Sequence, residues 1–394
     1  MTVKPMLKVA IIGCGKIADA HASQIQRMEG CEIVGVCDRE PLMARQLSER
    51  FPVKQYFSDL TGLVREARPD VVHVTTSPES HFEIARFCLE HGCHVYVEKP
   101  FVLHAERAQQ LVDLAEEKGL KLTAGHNDQF SPVARRMRAL VESGYLGGAP
   151  VHMESYYGYD LGDPSYARAM LGDHKHWVRR LPGKLLHNII SHGVARIAEF
   201  LTSDDPHIIA YGMVSPLLKG VGETEIVDEL RVIVSDNERT TAYFTFSSQM
   251  RPLVHEFRIY GPKNGLILDQ DHEILLRLRG KKFKSYADHF IPPVLFAKQH
   301  LGNLVTNMKL FLKRDFHTDS GLKYLIESFY RSIRQDTAVP IPYREIVLTA
   351  KIMDAIFDQL SRPQDRLTPR ATYTRPLDRL AVERHAAATL ASNS

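Results

Sequence analysis

Short apolar runs and amphipathic stretches take turns over the first third of the chain. LKVAII (7–12) is unbroken and of strand length, the pattern of a strand buried on both faces. Helical spacing follows to about Met28, and a second strand runs from Glu32 to Cys37. The same alternation then predicts a helix over 41–50, a short strand near Tyr56, a short helix around 59–67 and a strand over 70–76. Helix 79–91, strand 93–97, helix 104–118 and strand 120–124 complete the series. Repeated strand and helix predict a doubly wound parallel sheet of the α/β class.

The rhythm then changes. Strands are predicted over 150–157, 207–214, 225–235, 240–248, 255–260, 265–269 and 273–279, with GPKNG (261–265) as a turn between two of them. Helices over 131–143, 185–201, 294–314, 319–334 and 343–361 bracket them. This predicts a second domain in which helices bracket a sheet. The expected division is 1–127 and 128–361, with helix 343–361 free to pack back on the first domain. From Arg362 the chain is rich in Pro, Arg, Ala and Ser, so 362–394 is expected to be an extended or disordered tail.

Composition narrows the class. A chain of 394 residues exceeds one ordinary core, which supports two domains. A net charge of only +3 gives no global pull toward nucleic acid. No apolar run approaches the length of about 18 residues that would predict a transmembrane segment. The apolar run near the amino terminus reads as a first strand, not as a signal peptide. Five cysteines, an odd number without CxxC spacing, fit free thiols in a reducing cytoplasm.

Between the first strand and helix stands Gly13-Cys14-Gly15-Lys16-Ile17-Ala18. Alone, a GxGxxA loop is a weak signal. Here a strand precedes it, a helix follows, and Asp38 ends the second strand. Gly13 suits the tight turn, Gly15 a close backbone approach to a pyrophosphate, and the helix start at Lys16 and Ile17 offers free N–H groups. Asp38 can bond both ribose hydroxyls, which favours NAD. Arg39 beside it keeps NADP open.

The strand His94–Val97 ends in Glu98-Lys99-Pro100, an acid, a base and a proline. With GCGKIA, Asp38, TSPESH (76–81) and NIISH (188–192), this resembles the Gfo/Idh/MocA family of oxidoreductases, named for glucose–fructose oxidoreductase and inositol dehydrogenase. The resemblance covers roughly residues 5–360. It implies a Rossmann domain followed by a C-terminal α/β domain with a large open, mixed, mainly antiparallel sheet, and hydride transfer between NAD(P) and a hydroxyl of a sugar or cyclitol. It implies that Lys99 touches both the substrate hydroxyl and the nicotinamide ribose, that Glu98 holds the loop or the lysine, and that Thr76, Ser77 and His81 line the cofactor. An ordinary lysine titrates near about 10.4, whereas acid–base work near neutrality suits roughly 7–8, a difference of about 4 kcal/mol.

In the second domain, Asn188 and His192 stand four apart and would share a helix face. The family places Asp-x-x-x-His there, so Asn188 departs from it. An amide cannot take a proton and is left to orient a hydroxyl or fix a tautomer. Asn127 and Arg179 join Lys99, Asn188 and His192 as candidate substrate contacts. Residues 168–184 carry five Lys and Arg against Asp173, which suggests an anionic substrate such as a nucleotide-linked sugar or a uronic acid. No metal is expected, because no histidine pair is completed by an acid at ligand spacing. Two alternatives stay open: a glycosidase using NAD for transient oxidation, and a cofactor-binding regulatory protein without turnover.

A second basic run, Arg277 to Lys284, leads into 294–314, whose apolar residues form one helical stripe. Contact with an acidic membrane surface is one reading. Packing on its own domain or on a sister subunit is the expectation. The exposed face of the second sheet is expected to pair subunits into a homodimer or homotetramer.

Overall fold

The computed structural model describes residues 6–161, 175–236, 239–280, 283–316 and 320–362. The predicted tail past Arg362 lies outside them, as does Arg168 of the basic stretch.

The first sheet holds β1 (Leu7–Ile12), β2 (Cys31–Cys37), β3 (Tyr56–Phe57), β4 (Val71–Val74), β5 (His94–Val97) and β6 (Leu122–Ala124). Its order is β3-β2-β1-β4-β5-β6, with every neighbouring pair parallel. The crossovers are α1 (Lys16–Gln26), α2 (Pro41–Arg50), α3 (Leu60–Ala67), α4 (His81–Glu90) and α5 (Ala105–Glu117). Val9, Ala10, Ile11, Val71, Val72, Val74 and Val95 are fully buried, as unbroken apolar runs in a two-sided sheet require. The chain winds one way from β1 to β3 and the other way from β4 to β6. A crevice therefore opens past the carboxyl ends of β1 and β4, where such sheets bind ligands.

After α6 (Pro132–Glu142) comes the second sheet: β7 (His152–Gly158), β8 (His207–Met213), β9 (Glu229–Asp236), β10 (Thr240–Ser247), β11 (His255–Tyr260), β12 (Asn264–Asp269) and β13 (Ile274–Arg279). Its order is β13-β12-β11-β7-β10-β9-β8, antiparallel throughout except for the β7–β10 pair. Two helical segments, α7 (Lys184–Ile189) and α8 (Ser191–Phe200), precede β8, and short α9 (Pro216–Gly220) follows it. The helix α8 packs on β7 and β10, where Gly193 lets Phe244 of β10 approach so closely that a Cβ would overlap the ring. On the opposite sheet face, Ile209, Tyr211, Ile233 and Tyr243 are exposed. The last helices among the described residues are α10 (Ala287–Leu312), α11 (Ser320–Gln335) and α12 (Tyr343–Ser361).

Three departures from the sequence expectation matter. The helix expected over 185–201 is interrupted at Ile190, so Asn188 and His192 belong to different segments. The helix α11, expected to bracket the second sheet, instead buries Leu322, Leu325, Ile326 and Phe329 in the core of the first domain. The helix α10 starts before 294, runs through Pro292 and Pro293, and buries only Asn303. Its apolar stripe does not pack on its own domain. The helix α12 joins the two cores: Ile346 and Val347 lie in the first, Ile352, Ile356 and Phe357 in the second. That shared helix fixes how the carboxyl ends of the first sheet face α7 and α8.

Candidate active site at the domain junction

The crevice past β1 and β4 has a volume of about 700 Å³ and is lined by Gly13, Gly15, Asp38, Arg39, Thr76 and Ser77. The two glycines differ in their reasons. Gly13 has φ of +94°, and a Cβ there would lie 2.7 Å from the Thr76 backbone nitrogen. At Gly15 a Cβ would meet nothing within 4 Å, so the space above it is open to a ligand. Lys16 and Ile17 are exposed at the start of α1, whose first N–H groups have no partner within the helix. Asp38 is held by the N–H groups of Cys14 (2.7 Å) and Glu40 (3.0 Å), one on each carboxylate oxygen. Each oxygen keeps a lone pair for a hydroxyl. Thr75 donates to the carbonyl of Gly13 at 2.6 Å and so locks the β4 end against the glycine loop. An open approach at Gly15, a free helix start and a carboxylate at the end of β2 together fit a dinucleotide.

His81 is a correction. Expected to line the cofactor, its ring is fully buried and absent from the crevice lining. Its nitrogens lie 3.0 Å from the carbonyls of Thr76 and Pro100, so it clamps the β4 loop to the β5 loop. Burial pushes its pKa below the ordinary histidine value.

Glu98 is buried and does not pair with the ammonium group of Lys99. One carboxylate oxygen takes His21 Nε2 at 2.9 Å, and the other accepts the Lys99 backbone N–H at 3.1 Å. Behind it, His21 Nδ1 meets His73 Nδ1 at 2.7 Å, and His73 Nε2 meets the Tyr330 hydroxyl at 2.7 Å. An ionised Glu98 requires a proton on His21 Nε2; with His21 neutral, its Nδ1 then accepts from His73, and His73 Nε2 accepts from Tyr330. Burial drives the His73 pKa well below its usual value, which keeps that ring neutral. Burial would raise the Glu98 pKa, but the His21 contact outweighs it and leaves the carboxyl below its ordinary range.

Lys99 projects from the end of β5 beside a cis Lys99–Pro100 bond. Its ammonium donates to the main-chain carbonyl of Asn188 at 3.1 Å. The interruption between α7 and α8 falls two residues later, at Ile190. Burial lowers the Lys99 pKa, and the nearby charges of Glu98 and Asp128 oppose the shift.

Across from Lys99, His192 is buried, with its Nδ1 at 3.8 Å from Asp128 Oδ2. Tyr157 lies beside both, its hydroxyl 3.5 Å from the same oxygen and its ring stacked 6.2 Å from His192. His126 approaches from the other side with ring centres 6.3 Å apart, its pKa pushed to about 3 by burial and then by the His192 charge. Burial lowers the His192 pKa while Asp128 opposes it. The carboxyl of Asp128 would rise on burial, but His192, Arg196 and His255 outweigh that and hold it low. Asp128 thus supplies a negative charge that Asn188 cannot. Sequence reasoning missed it, along with Tyr157 and His126. The available signal was an acid in the turn just after β6, next to Asn127, at a third strand end of the same sheet.

The basic stretch resolves differently from its local balance. Arg179 pairs with Glu223 at 2.7 Å, with both side chains largely buried. Arg180 reaches Glu79 of the first domain at 2.8 and 2.7 Å along the rim of the crevice. Lys184 pairs with Glu225 at 2.7 Å. Three charges expected to face an anionic substrate therefore already face glutamates.

Residues 7–126 match the family model described as the oxidoreductase family with an NAD-binding Rossmann fold. D-glucoside 3-dehydrogenase of Escherichia coli (strain K12) is 35% identical over 148 residues, which span 37% of this chain and 42% of that enzyme. The chain thus spans less than half the length of the curated relatives it matches. Two solved structures extend the likeness in fold. UDP-N-acetylglucosamine 3-dehydrogenase from Acidithiobacillus ferrooxidans has a TM-score of 0.66 at 18% identity, covering 89% of this chain and 96% of that one. The WlbA dehydrogenase from Bordetella pertussis, in complex with NADH and UDP-GlcNAcA, has a TM-score of 0.69 at 16% identity, covering 91% and 96%.

Proposed function

Through residues 7–126 the chain belongs to the Gfo/Idh/MocA oxidoreductases with their NAD-binding Rossmann fold, and on that basis we propose that it oxidises or reduces one hydroxyl-bearing carbon of a sugar. The observation that carries this reading is the placement of Lys99. Its ammonium sits between the two domains, bonded to a neutral carbonyl, and among the described residues no carboxylate lies within 4.0 Å of it. A lysine locked in an ion pair would keep its proton; one held by a carbonyl can exchange it.

NAD, when bound, accepts or returns the hydride. In the oxidation direction the Lys99 amine takes the hydroxyl proton as the C–H hydride leaves. The Asn188 side chain is suited to orient a neighbouring hydroxyl. His192, whose proton burial loosens and Asp128 holds, can accept from or donate to a second one.

A neutral glycoside suits this site better than a nucleotide-linked sugar. The arginines and lysine that would have met a diphosphate are committed to Glu223, Glu79 and Glu225. One curated relative is named for a glucoside, D-glucoside 3-dehydrogenase of Escherichia coli (strain K12). The test is NADH appearance with a panel of neutral glycosides, inositols and UDP-sugars. Turnover is expected to be greatest with the neutral glycosides. No turnover across the panel would overturn the oxidoreductase reading, and a clear preference for UDP-sugars would overturn the neutral one.

A further inference from the structure

The helix α10 is attached to the protein by its polar side. Gln299, Asn303 and Asn307 recur at four-residue steps and therefore share one face. They cap the edge of β13, which among the described residues has a strand neighbour only on its other side. Gln299 accepts the Arg277 N–H at 2.7 Å and donates to the Arg277 carbonyl at 3.2 Å. Asn303 does the same for Leu275 at 3.2 and 3.0 Å, and Asn307 donates to the His272 carbonyl at 3.1 Å. A side-chain amide ladder thus replaces a missing strand and covers an otherwise sticky edge.

The opposite face is apolar and open. Phe290, Val294, Leu301, Val305, Met308 and Leu312 fall on one side of the helix and are between 49% and 78% exposed. An ordinary surface helix turns such a stripe inward; this one turns it outward. A stripe of this size needs an occupant.

Charge identifies the occupant. Residues 275–314 carry nine Lys and Arg against the single Asp288, a balance of +8 in a chain whose total is only +3. Lys298 and Lys309 flank the apolar stripe. Between α10 and β13 runs a groove of about 610 Å³ in which Arg136, Arg277, Arg279 and Lys298 stand around Leu295 and Phe296. A second copy of this chain would bring the same excess positive charge against itself. An anionic bilayer offers apolar depth for the stripe and phosphates for the cations at once. No helix among the described residues is long and apolar enough to cross a membrane, so α10 would lie along the interface.

We propose that α10 is a docking element that lays its outward stripe into the surface of an anionic phospholipid bilayer. Docking there holds the candidate active site near the membrane. Asn307 is bonded to His272; the neighbouring Asp271 holds His255 at 2.6 Å; and the His255 ring meets Tyr157 at 4.6 Å, beside His192.

The test is co-sedimentation of the full chain with phosphatidylcholine vesicles, with and without roughly 30 mol% phosphatidylglycerol. Binding is expected only with phosphatidylglycerol, with release when salt rises to about 0.5 M. Two double variants, Lys298→Glu with Lys309→Glu and Val305→Glu with Met308→Glu, should each weaken binding at least about tenfold. Both should leave the melting temperature unchanged, since all four side chains are exposed. Absence of binding to the anionic vesicles, or binding undiminished in both variants, would overturn the proposal. So would a fall in native mass by light scattering in Val305→Glu with Met308→Glu without vesicle binding by the parent, which would assign the stripe to a second copy.

Discussion

The ammonium of Lys99, at the end of β5, donates to the main-chain carbonyl of Asn188, at the end of α7, over 3.1 Å. One contact thereby joins the two domains at the point where the chemistry is proposed, and its acceptor carries no charge. The same contact coincides with the interruption between α7 and α8. That interruption places Asn188 and His192 in different helical segments, one partly exposed and one buried.

The charge of Asp128 tunes this pair. Burial lowers the pKa of Lys99 and of His192, and Asp128 holds both up against it. In Asp128→Asn both groups should lose their protons at lower pH than in the parent. Alcohol oxidation needs the free amine, so the acid limb of the kcat/KM profile should move to lower pH, with kcat falling by no more than about tenfold. A profile that does not move, measured by NADH appearance across pH, would remove Asp128 from the site.

The two glycines of the first loop should fail in different ways. Gly13→Ala forces a left-handed backbone and a clash with the Thr76 backbone, and should cost on the order of 1–3 kcal/mol of stability in thermal or chemical unfolding. Gly15→Ala meets no protein atom and has an ordinary φ of −76°, so its unfolding should match the parent. Its NADH affinity should nonetheless fall by about tenfold or more in fluorescence titration, because the methyl occupies the approach to the pyrophosphate. Equal affinity in Gly15→Ala would place the dinucleotide elsewhere.

Arg179 should behave as a structural residue. Its ion pair with Glu223 is largely buried, and Glu223 also accepts the N–H groups of Glu225 and Ile226. Removing the arginine leaves a carboxylate only partly satisfied. Arg179→Ala should therefore destabilise the fold by roughly 2–4 kcal/mol, with KM for a neutral substrate nearly unchanged. A raised KM without loss of stability would return Arg179 to the substrate.

The first sheet was legible because its strands are apolar runs and its turns carry glycine, acid or proline at fixed offsets. The glycine loop, Asp38 and Lys99 were legible for the same reason: each stands at a strand end, and strand ends of a parallel sheet converge. Asp128 was not, because its relation to His192 arises only when the two domains close. The charges of Arg179, Arg180 and Lys184 read as a basic patch along the chain, but the glutamates that meet them are far away in sequence. Periodicity located the stripe of α10 without saying which way it faces. Amphipathicity fixes two sides of a helix, and the edge of β13 decided which side the protein took. His81 stands at the loop the sequence assigns it, but its ring lies inward between the carbonyls of Thr76 and Pro100.

The most direct measurement is the turnover of Lys99→Met beside the parent on the glycoside that the parent oxidises best, with NADH affinity measured on both. The account predicts unchanged NADH binding and a kcat lowered by a factor of about 10² to 10⁴. Turnover within about twofold of the parent, with the same substrate and pH, would contradict it, because the proton of the sugar hydroxyl would then be leaving by another route.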